Sequence, residues 1–163
     1  MKALVIYDSQ YGNTGKIAQA LSAALSAAPG SQVQVETLLV SNVKLEQLAG
    51  LDLLVVGAPT QRFRTTEAML GFLKSIPADR LKGVRVAAFD TRLSLNDIES
   101  SAFRFIVKTG GFAAKHIADP LKKCGGEMIL PPEGFQVKDM EGPLLDGELE
   151  RAAQWAQHIV AAL

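Results

Sequence analysis

The sequence predicts an α/β protein: a doubly wound, five-stranded parallel sheet in the order 2-1-3-4-5, the middle layer of a three-layer sandwich. Three observations carry this. Strand-like and helix-like segments alternate along the chain with no internal repeat and no linker. Three of the strands are continuous apolar runs, the pattern of strands buried on both faces. The other two are weaker, one alternating and one short, as the two edges of that order require. Successive βα units make right-handed crossovers, which give a parallel sheet covered by helices on both sides. One domain is expected over residues 1–163.

Ala3–Tyr7 is the first continuous run. Asn13 or Thr14 is placed to cap the next helix, which runs to about Ala28 with Ile17, Leu21, Leu25 and intervening alanines on one stripe. Pro29-Gly30 stops it. Val33, Val35 and Thr37 alternate with Gln32, Gln34 and Glu36, predicting an edge strand with one wet face. A helical turn at Lys44–Leu48 leads to the second continuous strand, Leu51–Val56. Thr65 or Thr66 caps a helix with Met69, Phe72, Leu73 and Ile76 on its buried stripe, stopped by Pro77.

Gly83 precedes the third central strand, Val84–Phe89. Asp90–Gly110 begins polar, and its Phe103, Phe105, Ile106 and Val107 predict a helix or a packed loop. Gly111–Cys124 reads as a helix kinked at Pro120 and closed by Gly125-Gly126. Glu127–Leu130 is a short strand. Pro131–Asp146 reads as a loop on the ligand side of the sheet that either lies over the ligand or, the favoured reading, packs the last helix, Gly147–Leu163, onto the sheet. That helix carries Leu149, Ala152, Ala156, Ile159 and Leu163 on its apolar side, with Trp155 flanking it as partial core.

Composition excludes several classes. Seventeen basic and seventeen acidic side chains cancel to a net charge of zero, whereas a protein that coats a polyanion is strongly basic; no nucleic-acid partner is expected. Hydrophobic residues make up 48%, too many for a disordered chain. No apolar run approaches the ~20 residues of a membrane-spanning helix. The apolar run after Met1-Lys2 meets Asp8 at once, too soon for a signal peptide, so a soluble cytoplasmic protein is expected. The single Cys124 permits no intrachain disulfide and reads as a buried, unreactive thiol. His116 and His158 show no metal-ligand spacing, and no acid–base constellation is visible.

In a 2-1-3-4-5 sheet the ligand site lies beyond the carboxyl ends of the strands, at the switch between strands 1 and 3. Three segments follow: residues 8–15, 57–65 and 89–95. The first, Asp8-Ser9-Gln10-Tyr11-Gly12-Asn13-Thr14-Gly15, offers short hydroxyl and amide side chains, and Gly12 allows a tight turn. The amides that open the following helix favour an anion. No Lys or Arg occurs from position 8 to 15, so a phosphate held there is bound by neutral donors. Gly15-Lys16 is followed by Ile17 and position 10 is Gln, which excludes a P-loop; Gly12 and Gly15 alone do not make the dinucleotide fingerprint. The plainer reading is an ordinary βα turn in which Asn13 and Thr14 only cap the helix.

The six residues Ser9-Gln10-Tyr11-Gly12-Asn13-Thr14 resemble the flavodoxin phosphate loop, commonly Ser/Thr-x-Ser/Thr-Gly-x-Thr, with Tyr11 departing from the pattern. Gly57-Ala58-Pro59-Thr60 is similar to a second mark of that family, a turn that flanks one edge of the flavin ring. Val86–Arg92, Pro132-Glu133-Gly134-Phe135 and Glu141-Gly142-Pro143-Leu144 resemble a bacterial and archaeal group of small flavodoxin-domain proteins. The resemblance spans nearly the whole chain in element order. It implies a non-covalently bound FMN that shuttles electrons between redox protein partners. Carried over residue by residue, it assigns the phosphate to Ser9, Gln10, Tyr11, Gly12, Asn13 and Thr14. The ring falls to Pro59, Thr60, Gln61, Arg62 and Phe63, and to Phe89, Asp90, Thr91, Arg92 and Leu93, the last group through backbone donors.

This chain departs from the family at two places. Gln61-Arg62-Phe63 stands where many relatives have glycine, so left-handed backbone is opposed there. Leu93 stands where an aromatic residue commonly stacks. Phe63 either stacks on the ring or packs under the next helix; Arg62 or Arg64 beside the ring favours its anionic reduced form, while Arg64 also reads as a solvated surface arginine. Two other functions stay open: an FMN-dependent NAD(P)H:quinone-type oxidoreductase and a flavin-free interaction module of the same architecture. A response-regulator receiver is set aside because Gly57, not Asp, ends the third strand.

Overall fold

The computed structural model describes residues 1–29, 32–94, 101 and 111–163. Its sheet is built on β1 (Lys2–Tyr7), where Leu4 and Ile6 enter the core on one face and Ala3 and Val5 the core on the other. That is why the run is continuously apolar rather than alternating. The remaining elements are α1 (Asn13–Ser26), β2 (Gln34–Leu39), β3 (Leu53–Pro59), α2 (Glu67–Ser75), β4 (Arg85–Leu93), α3 (Ala113–Lys123), β5 (Glu127–Met128), β6 (Glu133–Val137) and α4 (Glu148–Ala161). Two short 3-10 turns, Val40–Asn42 and Leu45–Leu48, join β2 to β3.

The strand order is β2-β1-β3-β4-β5, all parallel, as the sequence predicts. Helices α1 and α4 cover one face; α2 and α3 cover the other. Among the described residues no helix is long and apolar enough to cross a membrane.

The fifth strand differs from expectation. It is split: β5 pairs with Arg85 and Val86 of β4, and β6 resumes beside the same strand from Phe89↔Glu133 to Leu93↔Val137. Residues 131–146 therefore contain a strand and are not wholly loop. The fourth strand also runs on through Asp90, Thr91, Arg92 and Leu93, which the sequence assigns to a loop. Asp90 and Thr91 are polar yet paired on both sides, with β3 and with β6, while Arg92 and Leu93 pair with β6. The expected helix or packed loop at Phe103–Val107 lies outside the described residues, as does Gly30.

The caps are corrected too. The N-cap of α1 is Gly12 at φ 88°, with no side-chain cap, so neither Asn13 nor Thr14 caps the helix. For α2 the cap is Thr66, whose hydroxyl accepts from the Met69 amide at 3.3 Å. Helix α3 runs unbroken across Pro120. Cys124 is buried beside the Ile76 carbonyl, and burial pushes its thiol up, away from reactivity. Trp155 is full core, not partial. It meets Phe89 and Phe135 edge-on, with ring centroids 6.0 to 6.3 Å apart across the three pairs.

Helix α4 is clasped to β6 through polar groups. Arg151 reaches Glu148 at 2.7 Å, Glu133 at 2.9 Å and the Gly134 carbonyl, while Glu148 accepts the Gln136 amide at 2.6 Å. Burial pushes the Glu148 carboxyl up, but the Arg151 hydrogen bond, the Gln136 amide and the Arg151 charge together hold it below its ordinary value. A lowered folded-state value means the charge stabilises the fold above the ordinary value of 4.5 and ceases to do so as pH falls through the folded value. The stability gap between wild type and E148Q, measured by urea unfolding, is therefore expected to be widest at neutral pH and to shrink in acid. A gap that widens in acid contradicts the clasp.

A second prediction concerns packing. Gly57 faces Phe89 in the neighbouring strand, and a Cβ on it would lie 2.2 Å from the Phe89 ring. G57A is expected to cost about 1–3 kcal/mol in urea unfolding, as overpacking forces the ring out of place. Wild-type stability would contradict this.

Candidate functional site

Beyond the carboxyl ends of β1, β3 and β4 lies an open cleft of about 1000 Å³. Its walls are the β1–α1 loop, the turn after β3, the end of β4, Phe112 just before α3, and the segment after β6. The sheet order puts it there, at the switch between β1 and β3.

Twelve of the sixteen sequence-assigned site residues line this cleft: Gln10, Tyr11, Asn13, Thr14, Pro59, Thr60, Gln61, Arg62, Phe63, Thr91, Arg92 and Leu93. Four do not. Phe89 is wholly in the core beneath it, and Asp90 is fully buried. Gly12 supplies the left-handed N-cap, and Ser9 turns its hydroxyl onto the Gly12 and Gly15 amides at 3.1 and 3.4 Å. Thr65 lines the cleft too, within the predicted segment 57–65, whereas Glu67, Phe112, Val137 and Met140 line it from outside the three predicted segments. Arg64, read also as a surface residue, lines the cleft beside Arg62.

The first loop is organised from its anion inward. The Asp8 carboxylate accepts the Ser9 amide at 2.9 Å and the Thr66 hydroxyl, tying the loop to the cap of α2. Thr14, nearly fully buried, shares a 2.8 Å hydrogen bond with Thr91 of β4. Asn13 is engaged differently from expectation: its side-chain amide donates to the Glu141 carbonyl at 3.0 Å, anchoring the segment after β6. A Cβ on Gly142 would lie 2.5 Å from that amide, so the close approach depends on glycine. The amides of the first turn of α1 have no intrahelical acceptor and point to the cleft end of the helix.

The turn after β3 is a two-residue hairpin. Gln61 and Arg64 exchange backbone hydrogen bonds of 2.9 Å in each direction. Arg62 and Phe63, at its tip, stand at φ 46° and 65°. Left-handed backbone at both central positions is the primed turn that matches strand twist, and it is strained for two side-chain-bearing residues. The absence of glycine does not prevent positive φ here. Directly after it, Thr65 is 8% exposed, and its hydroxyl is a buried side-chain polar atom without a partner among the described residues.

Beneath the cleft, the Asp90 carboxylate receives Arg92 at 2.5 and 2.8 Å and the Ala114 amide at 2.8 Å. Burial pushes its carboxyl up; Arg92, the Ala114 amide and the Thr60 hydroxyl pull the other way. Net of these it stays raised, so its charge opposes folding as pH rises, the reverse of Glu148.

A parallel sheet of this order with an open cleft at its topological switch point defines a doubly wound α/β protein of the 2-1-3-4-5 type. The family model for the flavodoxin domain matches residues 4–125, and this chain belongs to the flavodoxin family. Solved structures agree on the fold. Oxidised flavodoxin 1 from Bacillus cereus superposes with a TM-score of 0.76 at 16% identity, covering 100% of this chain and 99% of that one. A flavodoxin from the domain Archaea gives 0.72 at 23% identity, covering 99% and 97%. Rubredoxin oxygen:oxidoreductase from Desulfovibrio gigas gives 0.71 at 20% identity, but the match spans 99% of this chain and only 35% of that one. No curated protein sequence matches this chain.

The orphaned Thr65 hydroxyl generates a prediction. T65V removes a buried donor that no described residue satisfies, so unfolding stability is expected to stay level or rise by up to about 1 kcal/mol. A loss of more than that would mean the hydroxyl has a structural partner.

Proposed function

We propose that this protein binds FMN non-covalently in the cleft and carries electrons between redox protein partners in the cytoplasm. The observation that carries the reading is the pairing of a cation-free donor loop with a large, mixed cleft. Residues 8–15 contain no cation, and their one carboxylate, Asp8, is taken up by the Ser9 amide and Thr66, yet they bring the first-turn amides of α1 and the Thr14 hydroxyl to one end. Such a set suits a phosphate monoester attached to a neutral body, since neutral amides at a helix N-terminus hold an anion without a counter-charge. The donor set fits the group, and so does the orphaned Thr65 hydroxyl, a buried donor in the wall. Membership of the flavodoxin family supports the same cofactor.

Bound FMN supplies the electron-accepting chemistry. The residues of the chain bind and shape. Thr14 and the α1 amides hold the phosphate end. Pro59, Thr60 and Phe63 form one wall for the ring, and Thr91, Arg92 and Leu93 another. Tyr11, at 50% exposure, Leu93 and Met140, at 76%, leave an apolar rim at the mouth. That rim, on a chain of zero net charge, supports partner docking by apolar contact rather than by long-range steering.

T14A tests the phosphate end. Losing its hydroxyl is expected to weaken FMN binding about tenfold, or about 1.4 kcal/mol, in a fluorescence-quenching titration. An unchanged titration would remove Thr14 from the site.

A further inference from the structure

Asp90 and Arg92 lie two residues apart on β4 and so share one face of the strand. Arg92 meets both Asp90 oxygens through Nε and Nη2, and its guanidinium carbon lies 3.5 Å from the centre of the Phe112 ring. Gly134 of β6 makes room for it: a Cβ there would sit 2.2 Å from the same carbon. The guanidinium is thus held by an anion, an aromatic face and a backbone. Asp90 is fully buried and shares its charge among Arg92, the Ala114 amide and the Thr60 hydroxyl. Arg92 keeps its Nη1 hydrogens without an acceptor among the described residues, and its side chain, 20% exposed, lines the cleft. By contrast Arg62 and Arg64 are exposed, where water and salt screen them.

We propose that Arg92 is the specificity-determining residue for redox state: its fixed charge favours the reduced, anionic form of a bound flavin over the oxidised, neutral form. The inference rests on the FMN reading above. Uptake of two electrons and one proton, with dithionite as the electron source in the test, leaves the ring with one net negative charge. Arg92 lines the cleft and Asp90 lies buried outside the lining, so the pair presents its positive end to the ring; held in place, that end stabilises the added charge without reorganising, and the difference in binding between the two forms shifts the reduction potential upward. The Asp90 partner and the Phe112 ring are what keep the cation from swinging into solvent.

Two variants test it. R92Q removes the charge but strands a buried carboxylate, which is strongly destabilising; D90N/R92Q removes the ion pair as a unit and leaves two neutral amides in its place. Thermal unfolding checks the fold of each. Oxidised FMN affinity is read by fluorescence titration and the midpoint potential by dye-equilibrated dithionite titration. D90N/R92Q is expected to lose about tenfold more affinity for reduced than for oxidised FMN, a two-electron potential lower by about 30 mV. A potential that is unchanged or raised overturns the role of Arg92 while leaving the FMN site intact. Failure of wild type itself to bind FMN overturns both.

Discussion

A single buried carboxylate holds the walls of the cleft together. Asp90, fully buried near the end of β4, takes hydrogen bonds from Arg92 of its own strand, from the Ala114 amide that opens α3, and from Thr60 at the turn after β3. A carboxylate in that position is tolerable only because each of these donors is present. Once they are, three segments distant in sequence are fixed relative to one another. Phe112 stacks on Arg92, and Thr60 in turn accepts the Ala113 amide at 3.0 Å. The shape of the cleft is therefore an electrostatic consequence of one residue as much as a packing consequence of the sheet.

The opposite end of the cleft is built without charge. Thr14 and the first-turn amides of α1 face it, and Asp8 is turned away toward the Ser9 amide and Thr66. A cation is held at one wall and neutral donors at the other. Under the proposed FMN reading, that polarity separates two tasks, gripping a phosphate and responding to the electron count of a ring. Asn13 serves a third: by holding the Glu141 carbonyl it brings the segment after β6, with Met140 at its exposed end, to the rim.

The sheet order was legible because strands buried on both faces leave an unmistakable continuous apolar signature, as in Leu54-Val55-Val56. The position of the cleft followed from the order alone. What was not legible has a common physical cause. Asp90-Thr91-Arg92 looks like loop because hydropathy cannot register an ion pair between residues i and i+2 on one strand face. Glu133–Val137 looks like loop because its reasons for being a strand are remote: the exposed edge of β4, and Arg151 and Glu148 on a later helix. Phe112 was missed as a lining residue for the same reason, since nothing local separates it from a helix-start aromatic. The hydrogen bond from the Asn13 side chain to the Glu141 carbonyl was not legible because its acceptor is far along the chain.

The grip of neutral donors on a phosphate tail is tested most directly by comparing two ligands that differ only there. Calorimetric titration of the purified protein with FMN and with riboflavin, its phosphate-free counterpart, isolates that contact. The donor loop predicts FMN binding at least about a hundredfold tighter, some 2.7 kcal/mol. Equal affinities for the two, or no binding of either, would contradict it.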